Sequence, residues 1–197
     1  MSYKSAVKRN FVVAACTAAL MFATATAQAK CKYQTDAVNL ISNEKIRWTN
    51  WSTFTLTLRG DRYILVTGIT EGDRKYLGLR MHLESTRPDR PTKDDLNNTV
   101  VVPAGATVML LMADESIVEL HSEEQFTGDT DFTMHNAHKY GMATDVFVKY
   151  PVTDDILSAL VSQRVKIIRI TTNDGDIDFE FGKKGSKKMQ KTLACIQ

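Results

Sequence analysis

The chain has 197 residues, of which 25 are lysine or arginine and 23 are aspartate or glutamate, so its formal net charge is +2. A chain with so small a net charge lacks the concentrated positive field that nucleic-acid binding requires, which argues against a nucleic-acid partner. The length is sufficient for a domain with its own hydrophobic core.

The first 29 residues have the three parts of a secretory signal peptide. A basic start precedes an uncharged stretch over 11–25 that is rich in Ala, Val, Leu and Phe, and the small residues Ala27 and Ala29 follow. This pattern predicts cleavage after Ala29 and export of residues 30–197 as a single globular domain, periplasmic or secreted. The two destinations share the same type of signal.

Two other interpretations of this segment fit the sequence less well. A membrane anchor would need about 20 apolar residues, and the stretch is shorter and only mildly apolar. Lipid attachment at Cys16 would need a longer apolar run than Phe11 to Ala15. We therefore expect no transmembrane segment after cleavage.

Removal of the signal peptide changes both the charge and the cysteine count. Three basic residues leave with it, so 22 positive residues face 23 negative ones and the net charge becomes about −1. Cys31 and Cys195 are the two cysteines that remain, and an even number in an exported chain predicts a disulfide. A metal pair or two separate thiols are the alternatives. A bridge would close a loop of about 165 residues, for which chain entropy gives at most about 5 kcal/mol.

Antiparallel β-structure is predicted for the first half of the exported region. Apolar and polar residues alternate over 54–58 and 76–84, an apolar run covers 63–69, and short polar turns separate these segments. This spacing predicts a hairpin-connected meander. Trp48 and Trp51 precede it, and we expect their rings to cap the core.

Two polar segments, 85–99 and 127–141, are predicted to be loops, with β-structure between them and after the second. Pro88 and Pro91 prevent regular structure in the first. Its mixed charges and lack of aromatic residues favour a mobile rather than a functional loop. The sequence assigns no role to either segment.

The last part of the chain changes pattern. Thr153 is a good N-cap for a helix near 154–163, and the Asn-Asp-Gly sequence at 173–175 predicts a tight β-hairpin turn. Ser186 is expected to cap a C-terminal helix that buries Met189, Leu193 and Ile196. The fold class is therefore α+β dominated by β: an antiparallel meander or sandwich-like sheet with a helix, a hairpin and a C-terminal helix.

Histidines are the first candidates for a functional site. His135 and His138 form an HxxH in a predicted loop, and His82 and His121 lie on polar strand faces beside glutamates. Three histidines and a carboxylate could bind zinc or copper, but the helical or tight-turn spacings of established zinc sites are absent. We expect these histidines to face solvent, and predict no metal, no cofactor and no catalytic residue.

Charged residues near the C-terminus are the second candidates. Asp174, Asp176, Asp178 and Glu180 have oxygen ligands suited to calcium, but alternate residues on a strand lie about 7 Å apart, which favours a solvated face. The final helix carries lysines at 183, 184, 187, 188 and 191. They could pair with this acidic strand or contact an anionic lipid or polysaccharide, but we favour a solvated helix face.

Common catalytic signatures are missing from the sequence. It contains no G-x-S-x-G, no H-E-x-x-H and no glycine-rich phosphate loop. The leading hypothesis is therefore a non-catalytic exported protein that binds a protein, an envelope surface or a small ligand held against the sheet. A metal-dependent enzyme that uses the histidines, and a secreted effector or assembly subunit, are the alternatives.

Overall fold

The structure is a computed structural model. It describes residues 31–55, 62–87, 92, 99–136 and 139–197. The predicted signal peptide lies outside the described residues. Within them no helix is long and apolar enough to cross a membrane.

Strands dominate the described part of the chain. In chain order they are β1 (Tyr33–Val38), β2 (Lys45–Thr49), β3 (Ser52–Thr55), β4 (Arg62–Glu71), β5 (Arg74–Arg87), β6 (Val101–Val102), β7 (Thr107–Met112), β8 (Ile117–His121), β9 (Phe126–Thr127), β10 (Asp129–Asn136), β11 (Lys139–Pro151), β12 (Val165–Thr172) and β13 (Gly175–Glu180). The helices are α1 (Asp154–Ser162) and α2 (Lys183–Leu193).

The strand pairs among the described residues are all antiparallel. Alternation of apolar and polar residues favours this arrangement. The large sheet has the order β1-β2-β4-β5-β11-β10, with β3 also paired to β4. The small sheet has the order β13-β12-β7-β8, and β6 pairs with β9. This arrangement, with its hairpin and C-terminal helix, confirms the predicted β-dominated α+β class.

One hydrophobic core is shared by the two larger sheets and both helices. Every second residue of the central strands points into it, because successive strand side chains alternate between faces. Its fully buried members include Leu77, Leu79, Met81, Val108, Leu110, Val146, Val148, Leu157, Leu160, Met189 and Leu193. The apolar residues predicted to dock the C-terminal helix are therefore buried.

The two helices begin differently. Thr153 caps α1 as predicted, since its Oγ1 accepts the Ile156 N–H at 3.3 Å. The prediction that Ser186 caps the last helix was wrong, because α2 begins at Lys183 with Gly182 as its N-cap. Ser186 is 1% exposed inside the helix, and its Oγ accepts the Val165 N–H at 3.0 Å, which fastens the helix to β12.

The loop predicted over 127–141 was also wrong. Strand β10 and the start of β11 form a hairpin there, with Thr130 opposite Thr144 and their hydroxyl groups 2.9 Å apart. In the described sheet β10 is the edge strand. A strand in this position can consist of threonines and aspartates without alternating apolar residues. Likewise β5 continues through residues 85–87, at the start of the other predicted loop, while residues 88–91 and 93–98 lie outside the described part.

The tryptophans do not cap the core as expected. Trp48 and Trp51 pack on Phe147, with ring centroids 5.4 and 5.7 Å apart, and Phe147 alternates with the core residues Val146 and Val148. These three rings, which we call the outer aromatic cluster, therefore lie on the opposite face of the large sheet. Gly78 leaves space on this face, because a Cβ there would lie 2.5 Å from Thr67 Cγ2 and 3.3 Å from the Phe147 ring.

Buried hydroxyl groups join β2 to β4 near this cluster. The Thr67 hydroxyl donates to the Thr49 carbonyl at 2.7 Å, and the Thr49 hydroxyl accepts the Gly68 N–H at 2.8 Å. Thr67 is 0% exposed. We expect Thr67→Val to lower the free energy of unfolding by about 1–3 kcal/mol, because a buried carbonyl loses its donor. Urea denaturation measures this, and Thr70→Val on the same strand is the control, with a change near zero.

Tyr150 gives a prediction of opposite sign. Its side chain is 0% exposed, and its hydroxyl has no hydrogen-bond partner among the described residues. Burial raises the pKa of this phenol, so it stays neutral at ordinary pH. We expect Tyr150→Phe to raise the free energy of unfolding by about 1 kcal/mol, because an unsatisfied buried polar group is removed. A destabilised variant in the same urea titration would contradict this expectation.

Candidate binding groove at the disulfide-closed end

The two ends of the described part of the chain are covalently joined. Cys31 and Cys195 form a disulfide with their Cα atoms 5.7 Å apart, which confirms the predicted bond. The Tyr33 hydroxyl also donates to the Cys195 carbonyl at 3.1 Å. The start of β1 is therefore attached to the last turn of the chain by two independent contacts.

A groove of about 430 Å³ lies beside this disulfide. It opens to solvent between the start of β1, the connection from β2 to β3, and α2. Its volume lies within the range of small-molecule sites in proteins. We call it the terminal groove, and its polar and aromatic lining consists of Lys32, Thr49, Asn50, Trp51, Ser52, Lys188, Lys191 and Thr192.

The sides of the terminal groove are held by contacts distant in sequence. The hydroxyl groups of Ser52 and Thr192 share a hydrogen bond of 2.7 Å across 140 sequence positions. The Asn50 N–H donates to the Lys32 carbonyl at 2.9 Å. With the disulfide, these contacts join all three segments, so the shape of the groove is set before any ligand binds.

Trp51 gives the groove a fixed aromatic surface. Its ring meets Phe147 edge-to-face, with an interplanar angle of 89°, and the side chain remains half-buried. A ring held on one side by another aromatic side chain loses little freedom when a ligand packs on it. It can therefore serve as a rigid platform for an apolar ligand face.

The electrostatic character of the groove is positive. Lys32, Lys188 and Lys191 form no ion pair with any described residue, whereas Lys75 and Lys149 on the large sheet do. The described lining also includes no aspartate or glutamate. Three ammonium groups are thus available to an anionic ligand.

The structure places the described histidines on different sheets. His82 Nδ1 lies 3.2 Å from an oxygen of Asp145, and its ring stacks on Tyr63 at 4.4 Å. Arg80 contacts the same carboxylate. His121 lies on β8 of the small sheet, with Nε2 3.5 Å from Glu119.

These positions do not bring the candidate ligands together. No group of three His, Cys, Asp or Glu side chains within the described residues could hold a metal ion. The side chains of His135 and His138 lie outside the described part.

The acidic strand β13 has partners on its own hairpin. Arg169 contacts both oxygens of Asp178 at 2.7 Å, and this hydrogen bonding lowers the pKa of that carboxyl. Thr171 donates to Asp176 at 2.9 Å. The possible pairing of this strand with the lysines of α2 is absent among the described residues. All five of these lysines, at 183, 184, 187, 188 and 191, are exposed.

The terminal groove was not predicted from the sequence, although two features of the sequence point towards it. Lys188 and Lys191 are three positions apart, which places them on one helical face. A disulfide from Cys31 to Cys195 brings Lys32 towards that face. The role of Trp51 had no sequence signal, because it depends on how the β2–β3 connection meets α2. The chain matches no family model, no curated protein and no solved structure to a significant degree.

Proposed function

We propose that this chain is an exported, non-catalytic binding protein that holds its ligand in the terminal groove. The observation that carries the proposal is the groove itself, whose lining includes Trp51 and three lysines that form no ion pair with any described residue. Export is inferred from the signal-peptide pattern, and a disulfide-closed fold suits an oxidising compartment such as the periplasm or the external medium.

Ligand mapping by NMR tests the binding role directly. Isotope-labelled residues 30–197 would be titrated with mixtures of small carboxylates, phosphates and neutral sugars. We expect shift changes at the Trp51 indole N–H and at the amides of Lys188 and Lys191. Shift changes confined to the His82 and Asp145 region, or no changes at all, would contradict the proposal.

A metal-dependent enzyme is the weaker alternative. It would need the histidines to converge, and His82 and His121 lie on different sheets. The His82–Asp145 contact resembles a general base with its orienting carboxylate. However, His82 stacks on Tyr63, and Arg80 already occupies the carboxylate, so the arrangement is equally suited to stabilising the sheet surface.

The export step makes a separate prediction. We expect the protein isolated from the periplasm or the medium to begin at Lys30, because signal peptidase reads the small residues Ala27 and Ala29. N-terminal sequencing or intact-mass measurement checks this. Ala29→Arg should leave the longer precursor uncleaved, and a wild-type protein that retains residues 1–29 would contradict the assignment.

A further inference from the structure

We infer that the ligand of the terminal groove is an anionic polysaccharide. A pyranose ring would pack on Trp51, and acidic groups of that sugar and its neighbours would contact the lysines of the lining. This inference rests on the proposed binding function and adds the chemical class of the ligand.

The aromatic surface favours a sugar ring. A pyranose has one face made of C–H groups and a rim of hydroxyl groups, so it needs an apolar platform with polar groups beside it. Trp51 supplies the platform, and its contact with Phe147 keeps the ring in place. Asn50 and Ser52 border the same groove with an amide and a hydroxyl group that can bind the rim.

The charge favours an acidic polymer over a single neutral sugar. Lys188 and Lys191 lie three positions apart on α2, so their Cβ atoms are about 5–6 Å apart. Lys32, just before β1, lines the same groove. Positive charges spread along a groove match negative charges repeated along a chain. Lysine also binds a carboxylate as a point charge, so it tolerates the varied orientations of acidic groups on a polysaccharide.

The shape of the groove argues against a membrane surface. A flat lipid headgroup layer is contacted best by side chains that project from the protein. Trp51 is half-buried in a concave surface, so a membrane could not reach it without deforming the groove. A nucleic acid could also stack on the ring, but the net charge of about −1 for the exported region gives little attraction to a polyanion that dense.

Binding measurements with defined polymers test the inference. Residues 30–197 would be titrated with polygalacturonate, with heparin and with dextran as the neutral control, using tryptophan fluorescence and calorimetry. We expect binding to polygalacturonate or heparin, weakening as salt rises, and no binding to dextran. Phosphatidylglycerol vesicles and a single-stranded oligonucleotide are the competing probes, and tighter binding to either would overturn the inference.

Charge-reversal variants locate the site. K188E/K191E should weaken polysaccharide binding at least about tenfold, and so should Trp51→Ala, because each removes a central contact. K183E/K184E has the same charge change on the same helix outside the groove, and its affinity should fall much less. Circular dichroism confirms that each variant is folded. Equal losses in both double variants would show a general charge effect and overturn the inference.

The NMR mapping separates the two proposals. If neutral sugars alone shift the groove residues, the binding function stands and the anionic inference is wrong. If no compound shifts them and no polymer binds, both are wrong.

Discussion

Reduction of the Cys31–Cys195 disulfide will lower the stability of the protein by about 2–5 kcal/mol. The bond closes a loop with a sequence separation of 164, so breaking it gives the unfolded chain much more conformational freedom. For a protein of this size the loss corresponds to a fall of about 10 °C in Tm. Calorimetry of residues 30–197 with and without a phosphine reductant measures it.

The variant C31S/C195S provides the control for this experiment. It should match the reduced wild type in Tm and should not respond to reductant. The core involves no cysteine, so both forms should keep their far-ultraviolet circular dichroism at 25 °C. Because both cysteines line the terminal groove, polysaccharide binding should weaken as well. An unchanged Tm after verified reduction would contradict the stabilising role of the bond.

Truncation of Leu193 will have the second large effect. Its side chain is 0% exposed and packs in the shared core from the last turn of α2. We expect Leu193→Ala to lower the free energy of unfolding by about 2–5 kcal/mol, because apolar contacts are lost and a cavity is left. Urea denaturation measures this change.

Lys187→Ala on the exposed side of the same helix is the matched control for Leu193→Ala. Its expected change lies within about 0.5 kcal/mol, since surface substitutions away from special contacts are nearly neutral. A similar loss in both variants would show that helix propensity, and not burial, determines the effect.

Local patterns predicted most elements of this fold correctly. The N-cap at Thr153, the turn at Gly175 with its positive φ of 107°, and the alternation along β5 depend on neighbours within a few positions. Predictions failed where tertiary contacts gave a residue a different role from the one that its sequence neighbours indicate. Ser186 looks like a helix cap, yet in the folded chain it is buried and its hydroxyl accepts a backbone N–H from β12.

Edge position explains the missed strand β10. An edge strand pairs on one side only, and its side chains need not alternate between core and solvent. The threonines and aspartates of Asp129–Asn136 therefore resemble a polar loop in sequence. The outer aromatic cluster was missed for a related reason, because the sequence shows that tryptophan is buried somewhere but does not say on which face of a sheet.

The amino-acid sequence was enough to predict the class of the fold, an export signal and a disulfide between Cys31 and Cys195. These follow from composition, short-range periodicity and the number of cysteines. The position of the candidate binding groove became visible only in the folded chain. At the terminal groove a hydrogen bond joins Ser52 to Thr192 across 140 sequence positions. Trp51 and lysines of α2 line the same groove. These contacts between distant segments depend on how the sheet and the last helix pack together, and short-range sequence patterns carry no information about that packing.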